Sequence, residues 1–390
     1  MSEQMKLRDL VTVATGTINP TKEPERRFTY VDVASVDNIA KVIRDPKIIA
    51  GSEAPTRARK AIRAGDVLVS TVRPNLNAVA MVPDNLDGEV ASTGFCVLRA
   101  KEDVSSRYLL FFTRSQRFII GLQALVAGAL YPAVTDGQVL DQELPQRSAP
   151  EQNQIVELLS RAESIVRLRI EAQRRVADLL PATFAKMFGD PATNPMDWPM
   201  TTIGELLSNA DYGSSAKAHT DPVGLPMIRM GNVTYEGALD LSDLKYVELG
   251  PEDVERFGLL EGDILFNRTN SKELVGKTGL WDGMTEAIVA SYFIRLRVNR
   301  LIAYPTYLWA FLNSPHMKRV LFATARGAVG QSNINSKELK AFPIPRPPID
   351  LQEKFDEHCK ALTDLAAQQR TALEKAEATF QALLARAFPS

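Results

Sequence analysis

Two long stretches of the chain, residues 150–188 and 349–388, resemble each other across a shift of 200 positions. Gln152 corresponds to Gln352, and Phe188 corresponds to Phe388. A period of this length is too long for a solenoid repeat, so it indicates a duplicated module. We therefore predict that a globular segment followed by a long helix occurs twice in the chain.

Apolar or small residues recur mostly three or four positions apart in both stretches, which predicts helices with one apolar stripe. The stripe of the first stretch comprises Ile155, Leu158, Ala162, Ile165, Ala172, Val176 and Leu179. The stripe of the second comprises Leu351, Phe355, Leu362, Leu365, Ala372, Ala376, Phe380, Leu383 and Ala387. At about 1.5 Å per residue, each helix would be roughly 45 to 55 Å long.

These helices need a partner, because an isolated helix with one apolar stripe is marginal in water. We predict that the two stripes pair as a coiled coil. The alternative is that each helix packs only on its own globular domain. Pro181 lacks a backbone donor, so we expect it to kink or end the first helix.

The globular segments also resemble each other, and each predicts a mixed α/β domain. GDVLVSTV at residues 65–72 corresponds to GDILFNRT at 262–269, and both read as strands that follow a glycine turn. Further predicted strands are 78–82, 94–98 and 290–298, and predicted helices are 107–118 and 307–322. We expect loops without regular structure at 128–140 and 327–339, because both are rich in turn residues.

The fold class is therefore predicted as α+β, with two similar mixed α/β domains joined by two long helices. The predicted boundaries are 1–149 for the first domain, 150–190 for the first helix and linker, 191–348 for the second domain, and 349–390 for the second helix. Loops at equivalent places differ between the two domains. A repeated scaffold with different loops suggests that the domains engage two versions of one kind of target.

Composition limits the class of protein more than it reveals the function. The formal net charge is −1, so composition alone does not predict nucleic-acid binding. The two cysteines cannot form a disulfide framework, which favours a reducing compartment. Neither a signal sequence nor an apolar run of about 20 residues is evident, so we expect a cytoplasmic protein.

Motifs for catalysis are missing from the sequence. The three histidines have no metal-ligand spacing. VGKT at residues 275–278 resembles the end of a phosphate-binding loop, but Ser271 stands where that loop requires glycine. The Asn/Asp-Pro-Pro-aromatic motif of adenine methyltransferases is also absent. We predict a chain with no active site, no metal and no cofactor of its own.

Polar residues near the repeated strand and the loop near each domain's end are suited to reading DNA bases. Arginine pairs with guanine, and asparagine or glutamine pairs with adenine. The candidates are Arg73, Asn75, Asn77, Tyr131 and Thr135 in the first domain and Arg268, Asn270, Gln331, Ser332 and Asn333 in the second. Candidate phosphate contacts are Lys272, Lys277, Arg326, Arg57, Arg59, Lys60 and Arg63. Turn formation and surface solvation are the alternative roles of these residues.

The order of these motifs, occurring twice, resembles that of specificity subunits of type I restriction-modification systems. The resemblance covers the whole chain. It is carried by GDVLVSTV and GDILFNRT, by GALYPAV and GAVGQSNIN, by LPQRSAPEQNQIV and IPRPPIDLQEKF, and by LLPATFAKMFGD and LLARAF. The first copy departs from the family's Gly-Gln/Asn-rich loop, with Tyr131, Pro132 and Ala133 where the second has Gly330, Gln331 and Ser332.

Membership of this family would imply two target recognition domains, each reading half of a gapped double-stranded DNA site. The two long helices would pair antiparallel and fix the gap. Two methyltransferase subunits would carry S-adenosylmethionine, and restriction subunits would use ATP. Two further hypotheses are a recognition subunit of another defence complex and a coiled-coil adaptor without a DNA role.

Overall fold

The computed structural model describes residues 4–12, 16–126, 132–328 and 331–389. The chain divides into two compact units. Unit 1 comprises Met1–Glu171 and Thr371–Ser390, and unit 2 comprises Ala172–Arg370. Each long helix therefore contributes residues to both units, whereas the sequence suggested domains that exclude the helices.

Unit 1 contains two four-stranded sheets. One has the strand order Lys47–Ala50, Arg27–Val31, Val90–Ser92 and Ala58–Ala61, and the other Val11–Thr12, Phe95–Ala100, Val67–Ser70 and Val79–Met81. Two-stranded sheets pair Gln4–Lys6 with Glu143–Pro145 and Val36–Asp37 with Val42–Ile43. The α-helices that precede the first long helix are Leu7–Leu10, Ser106–Thr113, Gln116–Gln123 and Asp136–Leu140. Short 3₁₀ helices span Pro20–Lys22, Val33–Ser35, Gly51–Glu53, Pro74–Leu76 and Asp84–Leu86.

Unit 2 is built on a four-stranded sheet with the order Leu207–Tyr212, Phe293–Val298, Ile264–Asn267 and Thr278–Leu280. Unit 2 also contains two three-stranded sheets. One has the strand order Lys245–Val247, Leu225–Ile228 and Ile288–Val289. The other has the order Thr269–Asn270, Gln331–Asn333 and Arg326–Ala328. Met200–Thr202 pairs with Pro343–Pro345. The α-helices between the long helices are Pro251–Phe257, Pro305–Asn313, Pro315–Thr324 and Ser336–Ala341, and 3₁₀ helices span Ile203–Leu206 and Met230–Asn232.

The helices predicted at 107–118 and 307–322 are each divided into two short helices in the structure. In each case a serine caps the second of the two helices. The hydroxyl of Ser115 accepts a hydrogen bond from Phe118 N, and that of Ser314 accepts one from Met317 N. Pro315 follows as the first residue of its helix, where proline is tolerated. The predicted strands at 65–72, 78–82 and 94–98 are confirmed in their central residues.

The two predicted loops also contain regular structure. Asp136–Leu140 is helical and is capped by Thr135, and Ser336–Ala341 is helical and is capped by Asn335. Arg326–Ala328 pairs antiparallel with Gln331–Asn333, and we call these two strands the hairpin. Polar residues in these segments cap the short helices, and Gly137 and Gly327 lie inside regular elements, so the turn-rich composition concealed the elements.

The long helices span Ala149–Phe188 and Ile349–Ala387. The first continues through Pro181, so the proline does not end it. In unit 2, the ring of Phe355 near the beginning of the second helix lies 5.7 Å from Phe184 and 5.2 Å from Phe188 at the end of the first. Because the beginning of one helix packs against the end of the other, the pairing is antiparallel.

Unit 1 has the complementary arrangement. Leu159 and Ala162 of the first helix and Phe380 and Leu384 of the second are buried in one hydrophobic core. The beginning of the first helix and the end of the second therefore stabilise the same unit. The predicted fold class is confirmed: two mixed α/β units are joined by two long helices, whose packing is antiparallel where they enter each unit.

One predicted stripe needs correction. In the first helix, Leu158 and Ile165 are 52% and 51% exposed, whereas Leu159 and Ala162 are buried. The helix is oriented by the buried side chain of Gln152, which accepts a hydrogen bond from Ser105 N and donates one to Arg147 O. In this orientation Leu159 and Ala162 face the core. A second apolar stripe, which includes Leu158 and Ile165, remains exposed.

The buried polar contacts of the two units are duplicated. Gln352 accepts a hydrogen bond from Tyr304 N and donates one to Pro347 O, as Gln152 does at its equivalent positions. The hydroxyls of Tyr108 and Tyr307 donate to Pro145 O and Pro345 O, respectively. A buried polar group is costly unless it is hydrogen-bonded, so these repeated contacts fix the same geometry in each unit.

A second duplication explains the Gly-Asp pair of the repeated strand. Gly65 and Gly262 have φ values of +82° and +87°, which glycine adopts readily. The aspartates that follow are buried and form two hydrogen bonds each with arginine: Asp66 with Arg99, and Asp263 with Arg297. The motif therefore makes the turn and anchors two adjacent strands.

Each unit buries one free cysteine in its core. Cys96 lies in unit 1 and Cys359 in unit 2, and burial raises the pKa of each thiol to about 12. Reagents that need a thiolate should therefore react only when the corresponding unit opens. In the described residues, no helix is long and apolar enough to cross a membrane.

Candidate nucleic-acid interface

In unit 2, the polar residues that follow the repeated strand meet the hairpin near the end of the globular segment. Thr269 pairs with Asn333, and Asn270 pairs with Ser332, in an antiparallel sheet. Ile334 N donates a hydrogen bond to Arg268 O at 2.9 Å. Segments more than sixty positions apart in sequence thus present Arg268, Asn270 and Asn333 side by side, and we call these three residues the unit 2 cluster.

Arg268 stands out within the unit 2 cluster. Its guanidinium carbon lies 4.7 Å from the ring centre of Tyr212, a cation–π arrangement. Tyr212 ends the strand Leu207–Tyr212, and its hydroxyl accepts a hydrogen bond from Ser336 N. Tyr212 is not among the residues predicted from the sequence, because its distance from Arg268 along the chain gives no signal of contact.

Unit 1 brings its equivalent segments together by similar backbone contacts. Val134 N donates to Thr71 O, and Arg73 N donates to Pro132 O, at 2.9 and 2.8 Å. Arg73 and Asn75 are exposed around the 3₁₀ helix Pro74–Leu76, and we call this pair the unit 1 cluster. Arg73 has φ of 49°, an unusual conformation for a side chain of this size, which the contact with Pro132 holds in place.

Two predicted DNA contacts have structural roles. Asn77 is buried, donates a hydrogen bond to Thr113 O and accepts one from the ammonium of Lys41. Lys277 is also buried, and its ammonium donates to the carbonyl oxygens of Met230 and Val233. Burial lowers the pKa of Lys277 and lowers that of Lys41 to about 8. The hydrogen-bonding groups of Asn77 and Lys277 are thus engaged inside the protein.

The other predicted contacts fall into three groups. The Thr135 hydroxyl caps the helix Asp136–Leu140, and Ser332 is buried, so neither offers a free side chain. Arg326 and Gln331 lie on the hairpin strands, but only their backbone is described. Tyr131 lies outside the described residues.

The candidate phosphate contacts also differ in their surroundings. Lys60 forms an ion pair with Asp136, so its charge is already compensated. Arg59 is partly buried and donates to Ala58 O. The exposed candidates are Arg57, Arg63 and Lys272. Lys272 holds its ammonium 4.6 Å from the ring centre of Phe322.

Comparisons with known proteins agree with the duplicated architecture. A family model described as the type I restriction modification DNA specificity domain matches residues 195–377. A putative type I restriction enzyme MjaX specificity subunit from Methanocaldococcus jannaschii is 33% identical over 172 residues, which cover 44% of this chain and 40% of the relative. The EcoKI specificity subunit of Escherichia coli K12 is 25% identical over 328 residues, which cover 78% of this chain and 69% of the relative.

A solved structure extends the similarity over the whole chain. One chain from a study of complex assembly and conformational transition of a type I restriction-modification system has a TM-score of 0.66 and 27% identity. The match covers 99% of this chain and 97% of the solved one. Together these matches favour the first of the three functional hypotheses, because the chain is similar to specificity subunits of type I restriction-modification systems.

Proposed function

We propose that this chain is the DNA-recognition subunit of a type I restriction-modification complex and that each unit reads one half of a gapped duplex site. The main support is the pair of clusters at equivalent places in a duplicated scaffold. The scaffold contacts are repeated in both units, whereas the side chains of the two clusters differ. Two differing clusters on one scaffold suit an asymmetric site with two unlike halves.

We propose that the two long helices set the distance between the half-sites. Two antiparallel helices connect the units, and paired long helices are stiff compared with a loop. A stiff connection fixes the separation of two DNA contacts geometrically. It also raises overall affinity, because binding by one unit increases the effective concentration of the other at its half-site.

Electrostatics suggests that other subunits share the task of holding the DNA. The chain has a net charge of −1, and most phosphate neutralisation in DNA complexes comes from lysine and arginine. Arg57, Arg63 and Lys272 supply only local positive charge. We therefore propose that partner subunits contribute the remaining phosphate contacts.

Two methyltransferase subunits are the proposed partners, joined in some complexes by restriction subunits, in the cytoplasm. The methyltransferases would bring S-adenosylmethionine and the restriction subunits ATP. This chain itself is proposed to be non-catalytic.

The exposed apolar stripe of the first long helix is a suitable docking surface for a methyltransferase subunit. In unit 1 it comprises Leu158, Ile165 and Leu168, which are 52%, 51% and 59% exposed. Their spacing of seven and three positions is that of a coiled-coil face, so the occupant should be an amphipathic helix. We call these three residues the outer stripe.

Replacing Leu158 and Ile165 with serine should weaken assembly with the methyltransferase subunit at least about tenfold, since each buried leucine or isoleucine contributes about 1.5–3 kcal/mol. The unfolding temperature of the isolated chain should change little, because both side chains are exposed. Titration of the labelled chain with methyltransferase subunits measures the change. Ser substitutions at exposed Arg167 and Arg174, outside the stripe, provide the control. Unchanged assembly would remove the outer stripe as the docking surface.

The proposed function is tested by allowing the chain, assembled with its methyltransferase subunits, to select from duplex DNA with randomised positions. We expect one modified motif with two specified halves and an unspecified gap of constant length. A continuous motif, or no preference among duplexes at moderate salt, would contradict the proposal.

A further inference from the structure

Arg268 is a partly buried arginine of unit 2, in which several other arginines are paired with aspartates. Arg295, Arg297 and Arg229 of unit 2 pair with aspartates at 3.1, 2.9 and 3.2 Å. Arg268 is partly buried, and no ion pair joins it to a carboxylate of the described residues. Its Nε atom is buried and lacks a hydrogen-bond partner.

The position of Arg268 is nevertheless well defined. Its backbone N donates to Tyr292 O at 2.9 Å, and its backbone O accepts from Ile334 N at 2.9 Å. The guanidinium lies over the ring of Tyr212, which is held by strand pairing with Ile294 and by the hydrogen bond from Ser336 N. The side chain is therefore oriented before any ligand binds.

We propose that Arg268 reads a guanine in the half-site of unit 2 and that Tyr212 is its positioning residue. This inference rests on the proposed function of DNA recognition. With Nε directed inward, the two terminal nitrogens of the guanidinium form the outward fork. Such a fork matches O6 and N7 of guanine in the major groove. The other two residues of the unit 2 cluster, Asn270 and Asn333, are neutral and do not compete for the positive charge; the Asn270 side chain is itself hydrogen-bonded to Asn267 and to Ser271 N.

A phosphate contact is the competing role for the same side chain. Phosphate oxygens accept hydrogen bonds from many directions, and a flexible lysine serves them well. An aromatic ring beside a guanidinium restricts the orientation of that group. This restriction strengthens binding most when the acceptor atoms lie in one plane, as they do in a base. The cation–π contact with Tyr212 therefore favours the base over the phosphate.

The test uses the full chain assembled with its methyltransferase subunits and a duplex library in which each position of the bipartite motif is varied. For Arg268→Ala and Arg268→Lys, preference for guanine at one position of one half-site should fall roughly tenfold or more. Lysine should not retain the guanine preference, although it carries the same charge, because its ammonium group lacks the planar fork of arginine. The other positions and the other half-site should keep their preferences.

Variants of Tyr212 separate positioning from a merely structural role. Tyr212→Phe retains the ring and should keep the guanine preference, whereas Tyr212→Leu should reduce it at the same position as Arg268→Ala. Arg256→Ala is the matched control. Arg256 also lies over an aromatic ring in unit 2, that of Phe257, but it stands on the helix Pro251–Phe257, away from the unit 2 cluster.

Several results would overturn the inference. A wild-type motif in which neither half contains a G·C pair excludes it. Equal weakening of all sequences by Arg268→Ala, with a salt dependence reduced by about one phosphate, would assign the residue to the DNA backbone. An unchanged motif would also contradict it. Failure of the wild-type complex to show any bipartite motif would instead refute the proposed function, so the two failures are distinguishable.

Discussion

Replacement of Asp263 with alanine should destabilise unit 2 by about 3–5 kcal/mol, because it leaves Arg297 without its carboxylate partner and removes one of the two carboxylates beside the buried Arg295. Asp263 accepts hydrogen bonds from Arg297 at 2.9 and 3.2 Å and lies 3.9 Å from the guanidinium of Arg295. Asp263 and Arg295 are almost completely buried. Arg295 would retain only the partly exposed Asp211 and one carbonyl oxygen, that of Gly258.

The buried thiols provide the measurement for this variant. Labelling of Cys359 reports the opening of unit 2, and labelling of Cys96 reports that of unit 1; peptide mass spectrometry distinguishes them. A loss of about 3–5 kcal/mol should accelerate Cys359 labelling by about 100-fold or more where labelling follows the opening equilibrium. Labelling of Cys96 should change much less.

Asp66→Ala is the matched control in unit 1. Asp66 is as buried as Asp263, but it pairs with one arginine, Arg99, whose side chain is 24% exposed. The remaining charge can be solvated, so the loss of stability should be smaller and should appear at Cys96. Equal effects of the two substitutions would contradict the role assigned to the second arginine.

Truncation of Phe388 to alanine should destabilise unit 1, although the residue lies at the end of the chain. Its ring is buried 5.2 Å from Tyr108 and 5.6 Å from Phe112. Removing a buried phenylalanine side chain costs about 3–5 kcal/mol. We therefore expect accelerated labelling of Cys96 and little change at Cys359.

Phe188→Ala should have the opposite pattern. The Phe188 ring lies 4.9 Å from Tyr307 and 5.2 Å from Phe355, so its loss should open unit 2 and expose Cys359. If each long helix packed only on the globular segment that precedes it, the two variants would exchange their effects. The pair of experiments therefore distinguishes the antiparallel arrangement from that simpler alternative.

The general plan of the molecule was predictable because it is written in local patterns and in a repeat. Helical periodicity identified both long helices, and glycine turns before apolar runs identified the repeated strands. The division of each helix between two units was not predictable, because it depends on contacts such as Phe388 with Tyr108. The buried stripe of the first helix was predicted correctly at Ala162, but at Leu158 and Ile165 it was placed one position too early, because the next residues, Leu159 and Val166, pack against the core.

The candidate site was predictable as a pair of regions but not residue by residue. Sequence alone placed Arg268, Asn270 and Asn333 among the candidates, and pairing of Thr269 with Asn333 brings them together. Residue type does not reveal whether a polar side chain is already engaged, so Asn77 and Lys277 were mistaken for free groups. Tyr212 was missed because an aromatic residue at a strand end ordinarily signals packing.

Two separate units are proposed to read one half each of a single DNA site. The most direct measurement is sequencing of the DNA modified by the complex after residues 1–149 have been replaced by the equivalent segment of a specificity subunit with a different motif. One half of the modified motif should change, while the other half and the length of the gap stay the same. A change in both halves, or an altered gap, would contradict the account.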